Sequence, residues 1–198
     1  MFSHDLIPQG VGVAALAWVA LWTSHQLADH WVQTGFQAVE KDKSGWPGRL
    51  ACAGHVAGHM VTSVACLLML RIVGLTIHAG AITVGLAVIA ISHYWADRRT
   101  TLRALADRMG KGDFYRLGQP RKVALFVPGD GGSLVRASVF LVDEAGDPVP
   151  DVGGNPIEVP LDNNAPLGTG AHSLDQGFHF WWLFVAALVI TVMYLAGW

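Results

Sequence analysis

The 198-residue chain is 52% hydrophobic and 14% charged, with a mean hydropathy of +0.39 and a formal net charge of −2. A water-soluble domain carries nearer a quarter charged residues, so the composition points to a membrane protein. Its two cysteines, Cys52 and Cys66, form no C-x-x-C, which argues against a disulfide framework and a zinc ribbon.

The first segment spans Ile7 to Gln37. It is apolar from Val11 to Trp22 and then carries His25, Asp29 and Gln33. M-F-S-H-D-L-I-P lacks the basic n-region of a signal peptide, so the segment is expected to be retained. Continued through its polar half, it reaches roughly 30 Å at about 1.5 Å per residue, enough for the hydrocarbon core. Ala38 to Gly48 reads as a loop. A second helix is expected over Arg49 to Val73, with Gly54 and Gly58 as a small-xxx-small step. A third is expected over Ala79 to Trp95, continuing to Met109 as a basic extension. Residues 110–172 hold most of the prolines and dense glycines, and Asp162 to Gly170 reads as loop. The β-branched runs Val123–Val127 and Leu134–Val142 are bounded by turn residues and predict a small β-hairpin. The fourth helix runs from Ser173 to Trp198, with no charge from Phe178 onwards. The expected fold class is therefore an all-α membrane protein: a four-helix bundle with a loop insert containing a small β-hairpin. Its parts are 7–109, 110–172 and 173–198.

Basic residues set the expected orientation. Lys41, Lys43 and Arg49 flank the first loop, and Arg98, Arg99, Arg103, Arg108, Lys111, Arg116, Arg121, Lys122 and Arg136 fall in the third. Arg71 alone lies on the other side. The positive-inside rule makes loops 38–48 and 98–172 cytoplasmic and both termini external. Trp31, Trp46 and Trp95 are then expected at the inner interface, and Tyr194 and Trp198 at the outer.

Four pairs of ionisable residues, each spaced i, i+4, fall at the cytoplasmic ends of these helices. They are His25 with Asp29, His55 with His59, His93 with Asp97, and Asp175 with His179. Residues four apart share a helix face, and ionisable groups at membrane depth face the bundle interior and pair or bind ions. Five imidazoles and three carboxylates suit Zn, Fe, Mn or Ni, and the lack of thiolate argues against copper(I) and iron–sulfur. The expected cofactor is a divalent metal, zinc foremost, in a site with ligands enough for two ions. The residues between His55 and His59 are Val-Ala-Gly, so there is no H-E-x-x-H glutamate base. One of Asp29, Asp97 and Asp175, or a metal-held hydroxide, is left to activate water.

Each residue also has a plainer reading. Ser173 and Gln176 around Asp175 spell a capping box, and Asp97 can pair with Arg98, Arg99 or Arg103. Cys52 reads as packing, while His4, His78 and His172 read as interfacial, and His30 lies off the shared face. The basic extension reads as a topology signal that attracts anionic lipid, with no nucleic-acid motif beside it. Paired histidines in a bundle also ligate haem, against which the aspartate partners argue.

These motifs resemble the bacterial and phage membrane proteins grouped as domain of unknown function 3307. The family opens with H-x-x-A-D-x-x-x-Q-T, here His25, Ala28, Asp29, Gln33 and Thr34, followed by a lysine, here Lys41. A second-helix histidine (His55, with His59 a turn later), H-x-x-x-D (His93, Asp97) and a closing D-Q-x-x-H or D-Q-x-x-x-H (Asp175, Gln176, His179) complete the set. H-Y-W-A-D-R-R-T, K-G-D-F-Y-R-L-G and L-G-T-G-A-H-S-L-D-Q are similar to the actinobacterial branch. The likeness covers residues 10–110 and 165–197, and the insert of 120–162 departs from it. It implies a four-helix protein of the bacterial inner membrane and carries no established activity. Two functional readings follow. One is a metal-dependent hydrolase of a lipid or phosphoester, with Gln33, Lys41 and Gln176 supporting the ligands or touching substrate. The other is a structural or accessory membrane protein, whose polar pairs or structural metal lock the bundle while its basic loop docks a partner.

Overall fold

The computed structural model describes residues 6–118, 123–126, 138–143, 145–157 and 168–198. The chain divides into two compact units, residues 1–109 with 174–198, and residues 110–173.

The first unit is helical. Helix α1 (Leu6–Leu27) runs directly into a π-helical turn, Ala28–Val32. At Gln33 the backbone becomes extended, with ψ 126°, which ends the expected first segment short of Gln37. Thr34 then starts a short helix, α2 (Gly35–Glu40), through a capping box. Its hydroxyl accepts from the Gln37 backbone N–H, and the Gln37 side chain accepts from the Thr34 backbone. Helix α3 (Gly45–Met69) continues as a 3-10 turn, Leu70–Val73, and stops at Gly74. Gly74 has φ 85°, a left-handed cap that glycine adopts without steric cost, and Leu75 N–H closes it on the Leu70 carbonyl.

Helix α4 (Ala79–Asp97) does not continue unbroken to Met109. Arg99, with φ 49°, interrupts it, and α5 (Thr100–Arg108) starts in a new direction. The Thr101 hydroxyl donates to the Trp95 carbonyl across this break, satisfying a group that the missing next turn leaves open. Helix α7 (Thr169–Leu195) begins a turn earlier than expected. Ser173 is thereby inside the helix, its hydroxyl bonded to the Thr169 carbonyl at 2.7 Å, which rules out the capping box.

Among the described residues, four helical spans are long and apolar enough to cross a membrane: Gln9–Val32, Gly45–Val73, Ala79–Asp97 and Thr169–Leu195. Large apolar side chains such as Val19, Val61, Ile91, Trp181 and Val192 face outward, as lipid-facing positions do. Inside, the core is rich in small residues, with Ala17, Ala20, Ala81, Ala186 and Ala187 around Leu21, Leu67, Ile89, Leu183 and Ile190. Between lipid-facing helices the hydrophobic drive is weak, so close backbone approach carries the packing. Gly85 shows the tightness: a methyl group there would run into the Ile190 side chain.

The second unit holds a one-turn helix, α6 (Gly112–Tyr115), and two consecutive turns. Asp143 Oδ1 accepts from the Ala145 and Asp147 amides, and eight residues later Asp151 Oδ1 accepts from Gly153 and Asn155, each at 2.8 or 2.9 Å. Gly146 and Gly154 take φ 93° and 82° at matching places. This tandem D-x-x-G-[D/N]-P pattern escaped the sequence reading. The expected β-hairpin is corrected. Val123–Phe126 and Ser138–Leu141 lie antiparallel, but residues 127–137, which would make the turn, and the side chains of both segments lie outside the described residues. No hairpin with a packed face therefore belongs to the described fold, which is helical with turns. His4 and residues 162–167 of the expected loop also lie outside it.

Candidate metal centre

The four i, i+4 pairs project from α1 with its π-turn, α3, α4 and α7, and they meet. His25, His55, His59, His93 and His179 are all buried, as is Asp97, while Asp29 and Asp175 are partly buried. The His93 ring is central, with centroids 4.2 Å from His179, 4.5 Å from His59, 5.0 Å from His55 and 5.4 Å from His25.

Four ligand atoms gather around the two imidazole nitrogens of His55 and His93. His55 Nε2 lies 3.0 Å from His93 Nε2, 3.3 Å from Asp29 Oδ1 and 3.3 Å from Asp97 Oδ2. His93 Nε2 lies 3.2 Å from Asp97 Oδ2 and 4.0 Å from Asp29 Oδ1. The second oxygen of each carboxylate is held from behind: Asp29 Oδ2 is 3.5 Å from His25 Nδ1, and Asp97 Oδ1 is 2.9 Å from Lys41 Nζ. With its amide nitrogen turned to the Asp29 carbonyl, Gln33 accepts from Lys41 Nζ at 3.1 Å. Two of the expected supporting residues, Gln33 and Lys41, are thus at the cluster. Gln176 follows Asp175 on α7 but makes no side-chain hydrogen bond among the described residues.

A second group forms beside the first. The His179 Nδ1–H donates to the Asp175 carbonyl at 2.8 Å, and since a carbonyl only accepts, this fixes the tautomer and leaves Nε2 with a free lone pair. Asp97, Asp175 and His179 each offer a ligand atom within 4.8 Å of the others, and so do His25, His93 and His179, and Asp29, His55 and His93. His59 belongs to none of these three groups. Its Nδ1 lies 3.4 Å from Ser63 Oγ, which is 2.9 Å from Ser24 Oγ.

Several ligand atoms are sealed from solvent without a hydrogen bond: His25 Nδ1 and Nε2, Asp29 Oδ1, His59 Nε2, His93 Nδ1, Asp97 Oδ2 and His179 Nε2. Burying a polar atom unpaired costs about 1–3 kcal/mol, so a concentration of them in one place implies that something else satisfies them. Three carboxylates face one buried ammonium, Lys41, which leaves an excess of negative charge for a cation to neutralise. The donor set fits a metal ion.

Arg98 is a supporting residue that sequence reasoning missed. Its two terminal nitrogens donate to the Lys41 and Lys43 carbonyls, each at 2.6 Å, clamping the loop that carries Lys41. Its separation of more than fifty residues from that loop leaves no local signal. Ser24, directly before His25, and Ser63, one turn after His59, were also missed, although both are buried polar residues. Cys52 is buried, its thiol 3.8 Å from the Tyr94 carbonyl, and takes no part in the three ligand groups. His30 and His172 are exposed. Trp95 is half-buried and stacks on Phe178 at 5.1 Å. No protein-family model, curated protein or solved structure matches this chain, so the family resemblance rests on its motifs alone.

Proposed function

We propose that this is a multi-pass membrane protein of the bacterial inner membrane that holds divalent metal at the cytoplasmic ends of its four helices and hydrolyses a lipid or phosphoester there. The observation that carries the metal reading is the gathering of Asp29 Oδ1 and Asp97 Oδ2 about His55 Nε2 and His93 Nε2, which lie 3.0 Å apart and 3.2–4.0 Å from the two carboxylate oxygens. A tetrahedral zinc site with bonds of about 2.0–2.1 Å has ligand–ligand edges of about 3.3 Å, which supports zinc. His179 with His25 and His93, or with Asp97 and Asp175, offers a second position beside the first, which leaves room for a second ion.

In this reading the metal supplies Lewis acidity at the bond to be cleaved and lowers the pKa of the attacking water. His55, His93, Asp29 and Asp97 hold the first ion. Lys41 and Gln33 fix the Asp97 and Asp29 side of the cluster and offer an ammonium to an anionic substrate. Asp175, the most open of the three carboxylates, has its side chain 25% exposed and is the proton acceptor of choice. Water adds to the phosphorus or carbonyl carbon, the ester bond breaks, and the proton taken by Asp175 passes to the departing alkoxide.

Elemental analysis of the detergent-purified protein tests this, beside a His55→Ala, His93→Ala variant and a His30→Ala control. Stoichiometric metal is expected in wild type and control and absent in the double variant. A metal-free wild type ends the reading. The accessory-protein alternative is favoured by one observation, the buried cross-helix Lys41–Asp97 pair, which locks the bundle without any metal. It wins where the double variant loses stability and retains a bound partner protein.

A further inference from the structure

Two apolar grooves run along the outside of the bundle on either side of α4. The first has a volume of 510 Å³ and is lined by Val88, Ile91, Ser92, Trp95, Leu105, Phe178 and Trp182. The second, of 630 Å³, lies between α3 and α4, with Ala57, Ala90, Tyr94, Arg98 and Thr101 in its walls. They share two residues, Ile91 and Trp95, which stand one turn apart on α4 and form the ridge between them.

We infer that this pair of grooves seats the two acyl chains of one anionic phospholipid, astride the Ile91–Trp95 ridge, with its phosphate at the Arg98 end. Both volumes are in the range of built ligand sites, roughly 300–1,000 Å³. Their walls offer a polar ligand almost nothing. The Ser92 hydroxyl is committed to the Val88 and Ile89 carbonyls at 2.9 and 3.1 Å, and the Thr101 hydroxyl to Trp95. Hydrocarbon therefore fits along their length. The ridge lies within the membrane-capable span Ala79–Asp97, so lipid chains are the hydrocarbon at hand.

The end of the second groove selects the headgroup. Arg98 lines it and brings its positive charge there, its two terminal nitrogens donating to the Lys41 and Lys43 carbonyls, and Arg99 and Arg103 follow in sequence. The acids nearby are Asp42, 3.3 Å from Arg99, Asp107, 4.0 Å from Arg103, and Asp97, which is turned inward to Lys41. Guanidinium groups at the end of an apolar groove match a phosphate and not a zwitterionic or neutral head. Chain neighbours of three cluster residues line the grooves (Ser92 beside His93, Val56 beside His55, Phe178 beside His179), while the cluster residues themselves face the bundle interior. The inference rests on the membrane placement proposed above, and lipid retention is measured separately from metal content.

Native mass spectrometry of the full chain, delipidated in detergent and exposed to defined lipids, tests it. Two-chain phosphatidylglycerol is expected to be retained as a one-to-one adduct about tenfold more strongly than its single-chain lyso form or than phosphatidylcholine. Ala57→Phe, which pushes a ring into the second groove from an exposed position, is expected to lower that retention about tenfold. Val19→Phe, exposed on α1 and away from both grooves, is expected to leave it unchanged. Equal retention of the three lipids overturns the proposal, as does an Ala57→Phe variant that binds like wild type or a Val19→Phe variant that loses lipid equally. Metal is measured on the same sample. Loss of lipid with metal retained sinks the lipid site alone, and absence of metal with lipid retained sinks the hydrolase reading alone.

Discussion

Lys41 is the residue on which the electrostatics of the cluster turn. It is only 8% exposed, and its ammonium sits 2.9 Å from a carboxylate that is itself buried among imidazoles. A buried ion pair often contributes little net stability, because desolving two charges offsets their attraction. Removing one partner is different, since it strands the other charge. Lys41→Met is therefore expected to destabilise the protein by about 3–5 kcal/mol in detergent unfolding. The double variant Lys41→Met, Asp97→Leu, which leaves no orphaned charge at this pair, is expected to recover most of that loss. Equal stabilities for the single and double variants would show that the pair is not coupled.

At the scale of elements, the corner between α2 and α3 brings Lys41 back over the site. Arg98 holds it from the α4 side, and Gly48 allows it from the α3 side, where a Cβ would collide with the Lys43 carbonyl and lie 3.0 Å from the Glu40 carbonyl. Both obstacles are backbone and have no rotamer to change. Gly48→Ala is expected to cost about 1–3 kcal/mol and to quicken amide exchange at residues 41–43 while α4 keeps its protection. Unchanged exchange at residues 41–43 would mean that the corner yields without cost.

The elements also show what the sequence made readable. The i, i+4 pairs announced which face of each helix carries the ligands, and apolar runs announced four spans, because both signals repeat with the period of one helix. Partners brought together from distant segments were not readable. Nothing near Arg98 points to the Lys41 and Lys43 carbonyls, and nothing near Ser24 points to Ser63. The π-helical turn that carries Asp29 left no mark either, since its residues are compatible with an ordinary helix. In the insert, β-branched runs between glycines and prolines suggested a hairpin. Further along, Gly146 and Gly154 serve the tandem Asp-initiated turns, whose side-chain to amide bonds satisfy the backbone locally.

At the scale of the whole molecule, charge and aromatic placement bear on which side of the bilayer the cluster faces. The basic residues of the helical unit gather at the cluster end: Lys41, Lys43 and Arg49 at the α2–α3 corner, and Arg98, Arg99, Arg103 and Arg108 on and after α4, against Arg71 at the other end. Trp31 and Trp46, 84% and 71% exposed, stand at the cluster end, and Trp198, 69% exposed, ends α7 at the opposite one. An amphipathic indole settles at the headgroup level, so these three rings are expected at the two interfaces. A strong excess of Lys and Arg in short connections keeps those connections on the cytoplasmic side during insertion. A reporter cysteine at Ser44 is therefore expected to resist a membrane-impermeant maleimide in whole cells and to react in inverted vesicles. One at Gly74, beyond the far end of α3, is expected to react in whole cells. Cys52 is buried and Cys66 half-buried, so a background with both changed to alanine keeps the readout clean. Labelling of Ser44→Cys from outside would turn the molecule over, placing the cluster on the external face and taking the anionic cytoplasmic leaflet away from Arg98.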